Sequence, residues 1–150
     1  MITENDMKQT ELRIGNIVKI DDEYLGPIEG KVTSLNDKGE VELLLSVNKG
    51  HIRYFVCGSD DIFPIPITEE WLTKIGFILP EHKEFYVMCR INGKDNSIRL
   101  TRYFNLWNAE IFASHPEVVM LEHTIKGLRF VHELQNAYQL VTGKELEIKL

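Results

Sequence analysis

Between Leu12 and Asp61 no apolar run is longer than a strand, and each is cut short by glycine, asparagine or aspartate. The longest, Val41 to Val47, still carries Glu42 and Ser46. Short runs at this close spacing, separated by such turns, read as strands. They bury themselves by pairing as strands and bending into a small barrel or a curled sheet. Leu12 to Ile20 reads as a first strand with a bend at Gly15-Asn16, and Ile14, Val18 and Ile20 share one parity. Asp21 to Gly30 reads as a loop, marked by Gly26-Pro27 and Gly30. Lys31 to Leu35 and Glu40 to Val47 form a hairpin around Asn36-Asp37-Lys38-Gly39, and His51 to Cys57 returns after Asn48-Lys49-Gly50.

The prolines of Phe63-Pro64-Ile65-Pro66-Ile67 hold the backbone extended and remove ladder donors, so the segment reads as a connector with buried apolar residues. A short helix follows. Thr68 is placed to cap it, Glu69 and Glu70 favour its positive end, Ile67 and Leu72 occupy the staple positions, and Gly76 is placed to stop it. Trp71, Leu72, Ile75 and Phe77 are the expected buried set. Beyond it, Phe85 to Ile91 alternates, Asn92 to Asn96 turns, and Ser97 to Phe104 returns. Leu106 to Ala113 places Trp107, Ala109 and Ile111 on one face, and Val118 to Ile125 reads as a further strand. Leu128, Val131, Leu134, Ala137, Tyr138 and Val141 recur at helical spacing and Gly143 stops them, so a helix is expected to pack on the second sheet. Glu145 to Leu150 is a candidate edge strand.

The net charge of −6 is uneven. Residues 1–75 hold 8 basic and 14 acidic residues, whereas residues 76–150 hold 9 of each. Affinity for nucleic acid phosphates comes chiefly from Lys and Arg, so the first half is a poor binder of them. The polar, acidic start lacks the features of a secretory signal, and no run approaches the ~20 apolar residues of a membrane span. Cys57 and Cys89 lie far apart in apolar surroundings and read as buried thiols. A cytoplasmic chain with no membrane association is expected.

Each candidate for chemistry has a plainer reading. His132-Glu133 opens like the zinc protease motif, but Asn136 stands where the second histidine belongs, and His132 reads as a surface or boundary residue. His115, His123 and His132 with Glu117 and Glu122 match no metal spacing, and no Cys-x-x-Cys accompanies them. Gly26 to Lys31 has three residues between its glycines where a phosphate loop has four, and Glu29 would repel a phosphate. Cys57, followed by Gly58, Ser59, Asp60 and Asp61, lacks the electropositive setting of a reactive thiol. Asp60-Asp61 and Glu69-Glu70 form the densest acidic group, but turn and helix-start roles account for them. No catalytic residue, cofactor site or metal site is assigned.

The binding candidate is a basic, aromatic hairpin. Arg90, Lys94, Arg99 and Arg102 lie beside Tyr86, Tyr103, Phe104 and Trp107. Strand parity puts Arg90 on a face with Tyr86, and Arg99 with Tyr103. Such a sheet holds single-stranded nucleic acid by backbone attraction and base stacking. The plainer reading packs the aromatics under the last helix and leaves the arginines on a solvated edge. The candidate binding patch is Arg90, Arg99, Arg102, Tyr86, Tyr103 and Trp107.

Three segments carry a resemblance. They are Glu11-Leu-Arg-Ile-Gly-Asn-Ile-Val18, Pro66-Ile-Thr-Glu-Glu-Trp-Leu-Thr-Lys-Ile-Gly-Phe77, and Val131-His-Glu-Leu-Gln-Asn-Ala-Tyr138 with Leu140-Val-Thr-Gly-Lys-Glu-Leu146. Together they resemble a family of small uncharacterised proteins of Bacteroidetes bacteria and their phages or prophages, in whose shorter members the region matching residues 24–60 is briefer. The resemblance implies a bacterial or phage origin and no activity. The opening Gly15-Asn16-Ile17-Val18, followed by a strand at Gly30-Lys31-Val32 and a hairpin, is similar in pattern to an SH3-like or Tudor-like barrel. The expected fold is α+β. An SH3-like small β-barrel over residues 1–64 leads into an α+β lobe over 65–150, made of an antiparallel meander, a short linking helix and a C-terminal helix on the sheet. The expected function is a non-enzymatic binding or adaptor module for a protein partner, of the kind a mobile element carries. Nucleic acid binding and an unrecognised enzyme are the rivals.

Overall fold

A computed structural model of the chain describes residues 11–24, 26–46, 52–77, 86–89, 96–114, 119–146 and 148. These form two antiparallel sheets, one of five strands and curled into a half-barrel, one of four, together with two helices. The chain divides into two compact units. The first comprises residues 1–66 with 130–132, and the second residues 67–129 with 133–150. Among the described residues no helix is long and apolar enough to cross a membrane.

The first unit begins with a turn that the sequence writes in four residues. Gly15 adopts a φ of +98°, open to glycine and costly for other residues. That lets the Asn16 N–H donate to the Arg13 carbonyl (3.0 Å), while the Arg13 N–H donates to Asn16 Oδ1 (2.7 Å). The same turn meets the next strand, because the Gly15 N–H donates to the Val32 carbonyl and the Val32 N–H to the Asn16 carbonyl, both at 2.8 Å. Asn16 is buried with its amide oxygen engaged. Ile14 lies in the turn and is 58% exposed, so it does not share the buried face of Val18 and Ile20 as parity predicted.

Strands β1 (Ile17–Asp22), β2 (Gly26–Leu35), β3 (Glu40–Ser46), β4 (Ile52–Gly58) and β5 (Ile62–Phe63) follow. Their order in the sheet is β4-β3-β2-β1-β5. The expected loop at 21–30 is mostly strand: Asp21 pairs with Pro27 and Asp22 with Gly26. Among the described residues the β3 register begins at Gly30, and Pro27 pairs with β1 alone. The connector reading also missed β5, in which Ile62 and Phe63 pair with Ile20 and Lys19. Two residues are too few to show a period.

Ile28, Gly30 and Val32 face inward along β2, and continued alternation would bring Ser34 in next. A bulge between Val32 and Ser34 resets the parity, and Leu35 packs on the core instead. Thr33, in the bulge, donates its hydroxyl to the Glu42 carbonyl and carboxylate. The core comprises Leu12, Val18, Ile20, Ile28, Val32, Val41, Leu43, Leu45 and Ile62. Full burial of each such side chain contributes on the order of 1.5–3 kcal/mol. The β2–β3 turn is held by Asn36, whose Oδ1 accepts from the backbone of Lys38 and Glu40. At the close of the unit Pro66 bridges Phe130, and the Val131 N–H donates to the Ile65 carbonyl (2.8 Å).

The second unit starts with α1 (Glu69–Ile75). Thr68 Oγ1 accepts from the Trp71 N–H at 3.3 Å, a cap contributing about 1 kcal/mol. Gly76, at φ +107°, donates to Leu72 and Thr73, and the Phe77 N–H returns to the Leu72 carbonyl at 2.8 Å. Trp71, Leu72, Ile75 and Phe77 are buried as expected, and Lys74 Nζ stands 4.4 Å over the Trp71 ring.

The second sheet is a meander of β6 (Tyr86–Cys89), β7 (Asn96–Tyr103), β8 (Leu106–Ser114) and β9 (Val119–Leu128) in sequence order. Ile98, Leu100, Trp107, Ala109 and Ile111 are buried on one face. A bulge opposite Asn108 takes up Lys126 and Gly127, and the Gly127 N–H donates to Asn108 Oδ1 at 3.2 Å. This extends β9 past its expected end and puts Leu128 in the strand, not in the final helix. Helix α2 (Val131–Thr142) follows, with Glu133 Oε1 accepting from the Arg129 N–H (3.1 Å) and Gly143 donating to the Gln139 carbonyl (2.8 Å). Its burial runs almost all round, through Val131, His132, Leu134, Gln135, Ala137 and Tyr138. His132 is 2% exposed and stacks on Phe130 at 5.9 Å, so it is buried and not the surface or boundary residue expected. The candidate edge strand at 145–150 falls partly outside the described residues. Leu146 is buried without regular structure.

Candidate binding hairpin

Strands β7 and β8 pair from Asn96–Ala113 to Tyr103–Leu106, leaving Phe104-Asn105 as a two-residue turn. Such turns need positive φ at the first central residue when they match the strand twist, and glycine or asparagine usually supplies it. Here the residue is Phe104, at φ +55°. It is the only described non-glycine residue with positive φ, and its side chain is 80% exposed.

The turn is supported from its own strand. Arg102 Nε donates to the Phe104 carbonyl at 3.1 Å, and the Arg102 guanidinium lies 5.8 Å over the Trp107 ring. The Tyr103 and Phe104 rings meet edge to face with centroids 4.8 Å apart. Tyr103 is 63% exposed, and Leu106, paired across from it, is also exposed. The tip therefore presents two aromatic rings, a leucine and a guanidinium to solvent.

The patch expected from sequence is redistributed by this geometry. Arg102 and Tyr103 are at the tip. Arg99, on the Tyr103 face, is engaged bidentately by Glu110 across the sheet, with Nε at 3.3 Å. Its charge is balanced locally, and it offers little to a polyanion. Trp107 is buried and supports Arg102 from below. The Tyr86 side chain and Arg90 lie outside the described residues, as does Lys94. Phe104 and Leu106 complete the tip. Residues 97–104 read as one strand conceal the turn, although Asn105, between two alternating runs, was the available turn signal.

Among the other candidates, Cys57 is half-buried on β4 and its thiol is pushed up to about 11, first by burial and then by the Asp61 carboxylate. Gly26 to Lys31 is strand, not a loop. Asp60 and Asp61 form a single 3-10 turn before β5, and Glu69 and Glu70 begin α1. Of the histidine set, His115 and Glu117 lie outside the described residues, as do the side chains of Glu122 and His123. No group of three potential metal ligands occurs among the described residues. Comparisons of the chain with family models, with curated proteins and with solved structures each find no match.

Proposed function

We propose that the chain is a non-enzymatic binding module that engages a protein partner through the β7–β8 hairpin tip. The observation that carries the reading is Phe104: a bulky side chain held exposed on left-handed backbone, where glycine would serve the fold better. Tyrosine, phenylalanine and arginine on a preorganised turn are the residue types that anchor protein interfaces. The sheet order supports an SH3-like barrel in the first unit, since β5 returns beside β1. Burial of Leu134, Ala137 and Tyr138 supports α2 as the cover of the second sheet. The family resemblance supports, as part of this proposal, an accessory role in the cytoplasm of bacteria or for their mobile elements.

Photocrosslinking tests the reading. Benzoylphenylalanine in place of Phe104 is expected to attach one partner protein covalently in cells, and the same group in place of the exposed Tyr24 is not. No adduct at position 104, or the same adduct from both positions, rejects it.

The second reading, single-stranded nucleic acid, is favoured by Arg102 beside two exposed rings. It predicts anisotropy binding of labelled single-stranded DNA or RNA that weakens with salt and is lost in Arg102→Ala but not in Arg99→Ala.

A further inference from the structure

The first sheet ends on a strand edge of a kind that folded proteins usually blunt. Among the described residues, β5 is two residues long, β6 is four, and β9 is interrupted by two register shifts. By contrast, β4 runs seven residues in unbroken register with β3, from Ile52 opposite Ser46 to Gly58 opposite Glu40. Proline, bulges and charged side chains are the common protections of an edge; β4 has no proline and no bulge, and its one charged residue is Arg53 near its start. Its outward face carries Tyr54 and Val56, 62% and 58% exposed, two residues apart as the side chains of one added strand would meet them.

Acidic side chains outnumber basic ones at the far end of this edge, where Lys38 lies in the adjoining β2–β3 turn and the Gly39 carbonyl accepts from the Ser59 N–H. The Asp61 carboxylate lies 3.9 Å from where a Cβ on Gly58 would stand, and its field reaches the Cys57 thiol. Asp60 is exposed beside it, and Glu40 and Glu42 oppose Gly58 and Val56 on β3. Arg53, the one basic residue of β4, stands at the opposite end.

We infer that the outer edge of β4, which pairs with no strand among the described residues, is a docking site for an extended, lysine- or arginine-bearing segment of a partner protein, which adds to the first sheet as a further strand. Main-chain hydrogen bonds along β4 supply the affinity, Tyr54 and Val56 accept alternate apolar side chains, and the acidic end of the strand selects a basic one. The inference does not rest on the hairpin-tip reading.

The test is an anisotropy titration of the full chain against a short fluorescein-labelled peptide alternating valine and lysine. The comparators are the same peptide with alternate amides N-methylated, and a valine–glutamate peptide. The valine–lysine peptide is expected to bind more weakly as salt rises. N-methylation, which spares charge and apolar surface but removes strand pairing, weakens binding by at least about tenfold, and the valine–glutamate peptide does not bind. Tyr54→Ser and Val56→Ser reduce the affinity, and Tyr24→Ser, at an exposed residue outside β4, leaves it unchanged. Failure of the valine–lysine peptide to bind overturns the inference. Equal binding of the N-methylated peptide overturns it as well, because charge alone would then explain the affinity.

Discussion

Arg102 closes the turn it precedes: its Nε donates to the carbonyl oxygen of Phe104 at 3.1 Å, and its guanidinium rests over Trp107. The turn is thereby fixed although its first central residue is one that left-handed backbone disfavours. Phe104→Gly relieves that cost and leaves Gly-Asn, a favourable hairpin dipeptide. It also loses the exposed ring pair with Tyr103 and some backbone entropy. The expected net is a gain of about 0.5–1 kcal/mol in urea unfolding. A loss of stability would mean that Phe104 serves the fold.

Asn16 is predicted to be structural. It is fully buried, and its Oδ1 accepts from the Arg13 N–H at 2.7 Å. Asn16→Ala removes the acceptor of that part-buried bond, and the expected loss is about 1–3 kcal/mol by chemical denaturation. An unchanged midpoint would show that the turn holds without the side chain.

Gly30 and Gly76 should fail for different reasons. A Cβ on Gly30 meets Leu45 Cδ2 at 3.1 Å and Leu43 Cβ at 3.3 Å, so Gly30→Val overpacks the curled sheet and costs roughly 1–3 kcal/mol. A Cβ on Gly76 meets nothing within 4 Å, but φ is +107°. Gly76→Ala therefore costs about 1 kcal/mol through backbone conformation alone. Thermal unfolding of the two variants, with crystal structures for side-chain displacement, separates the causes: Leu45 moves in the first and nothing moves in the second.

Cys57 is predicted to be a slow nucleophile at neutral pH. Burial and Asp61 both disfavour the thiolate, so the alkylation rate by iodoacetamide should keep rising towards a midpoint of about 11. Asp61→Asn removes the repulsive charge and moves the midpoint down, with burial still holding it above that of a free thiol. A plateau reached near pH 8 would contradict this account of the site.

Much of the fold was legible where local chemistry decides it. Thr68, Trp71, Leu72 and Gly76 occupy the positions of a capped and terminated helix, and no distant contact is needed to read them. The Asn36–Gly39 turn was legible for the same reason, since Asn36 binds its own neighbours. The missed features depend on pairing. Pro27 is in β2 because Asp21 of β1 pairs with it, and Ile62–Phe63 is strand only because β1 lies beside it. Leu128 fits the helical period of α2 but is claimed by β9 through the bulge at Asn108. The binding site was legible in composition and not in placement. Arg99 and Trp107 are on the hairpin as read, but Glu110 engages the first and the sheet buries the second. Neither fact has a local signature, because both arise from residues on a neighbouring strand.

The central claim is that Phe104 is kept at the tip for binding and not for folding. The most direct measurement is the affinity of the captured partner for the wild-type chain and for Phe104→Gly, taken with the stability of both. Loss of at least about tenfold in affinity from a variant at least as stable as wild type is the predicted result. Equal affinity from a folded Phe104→Gly would contradict the account.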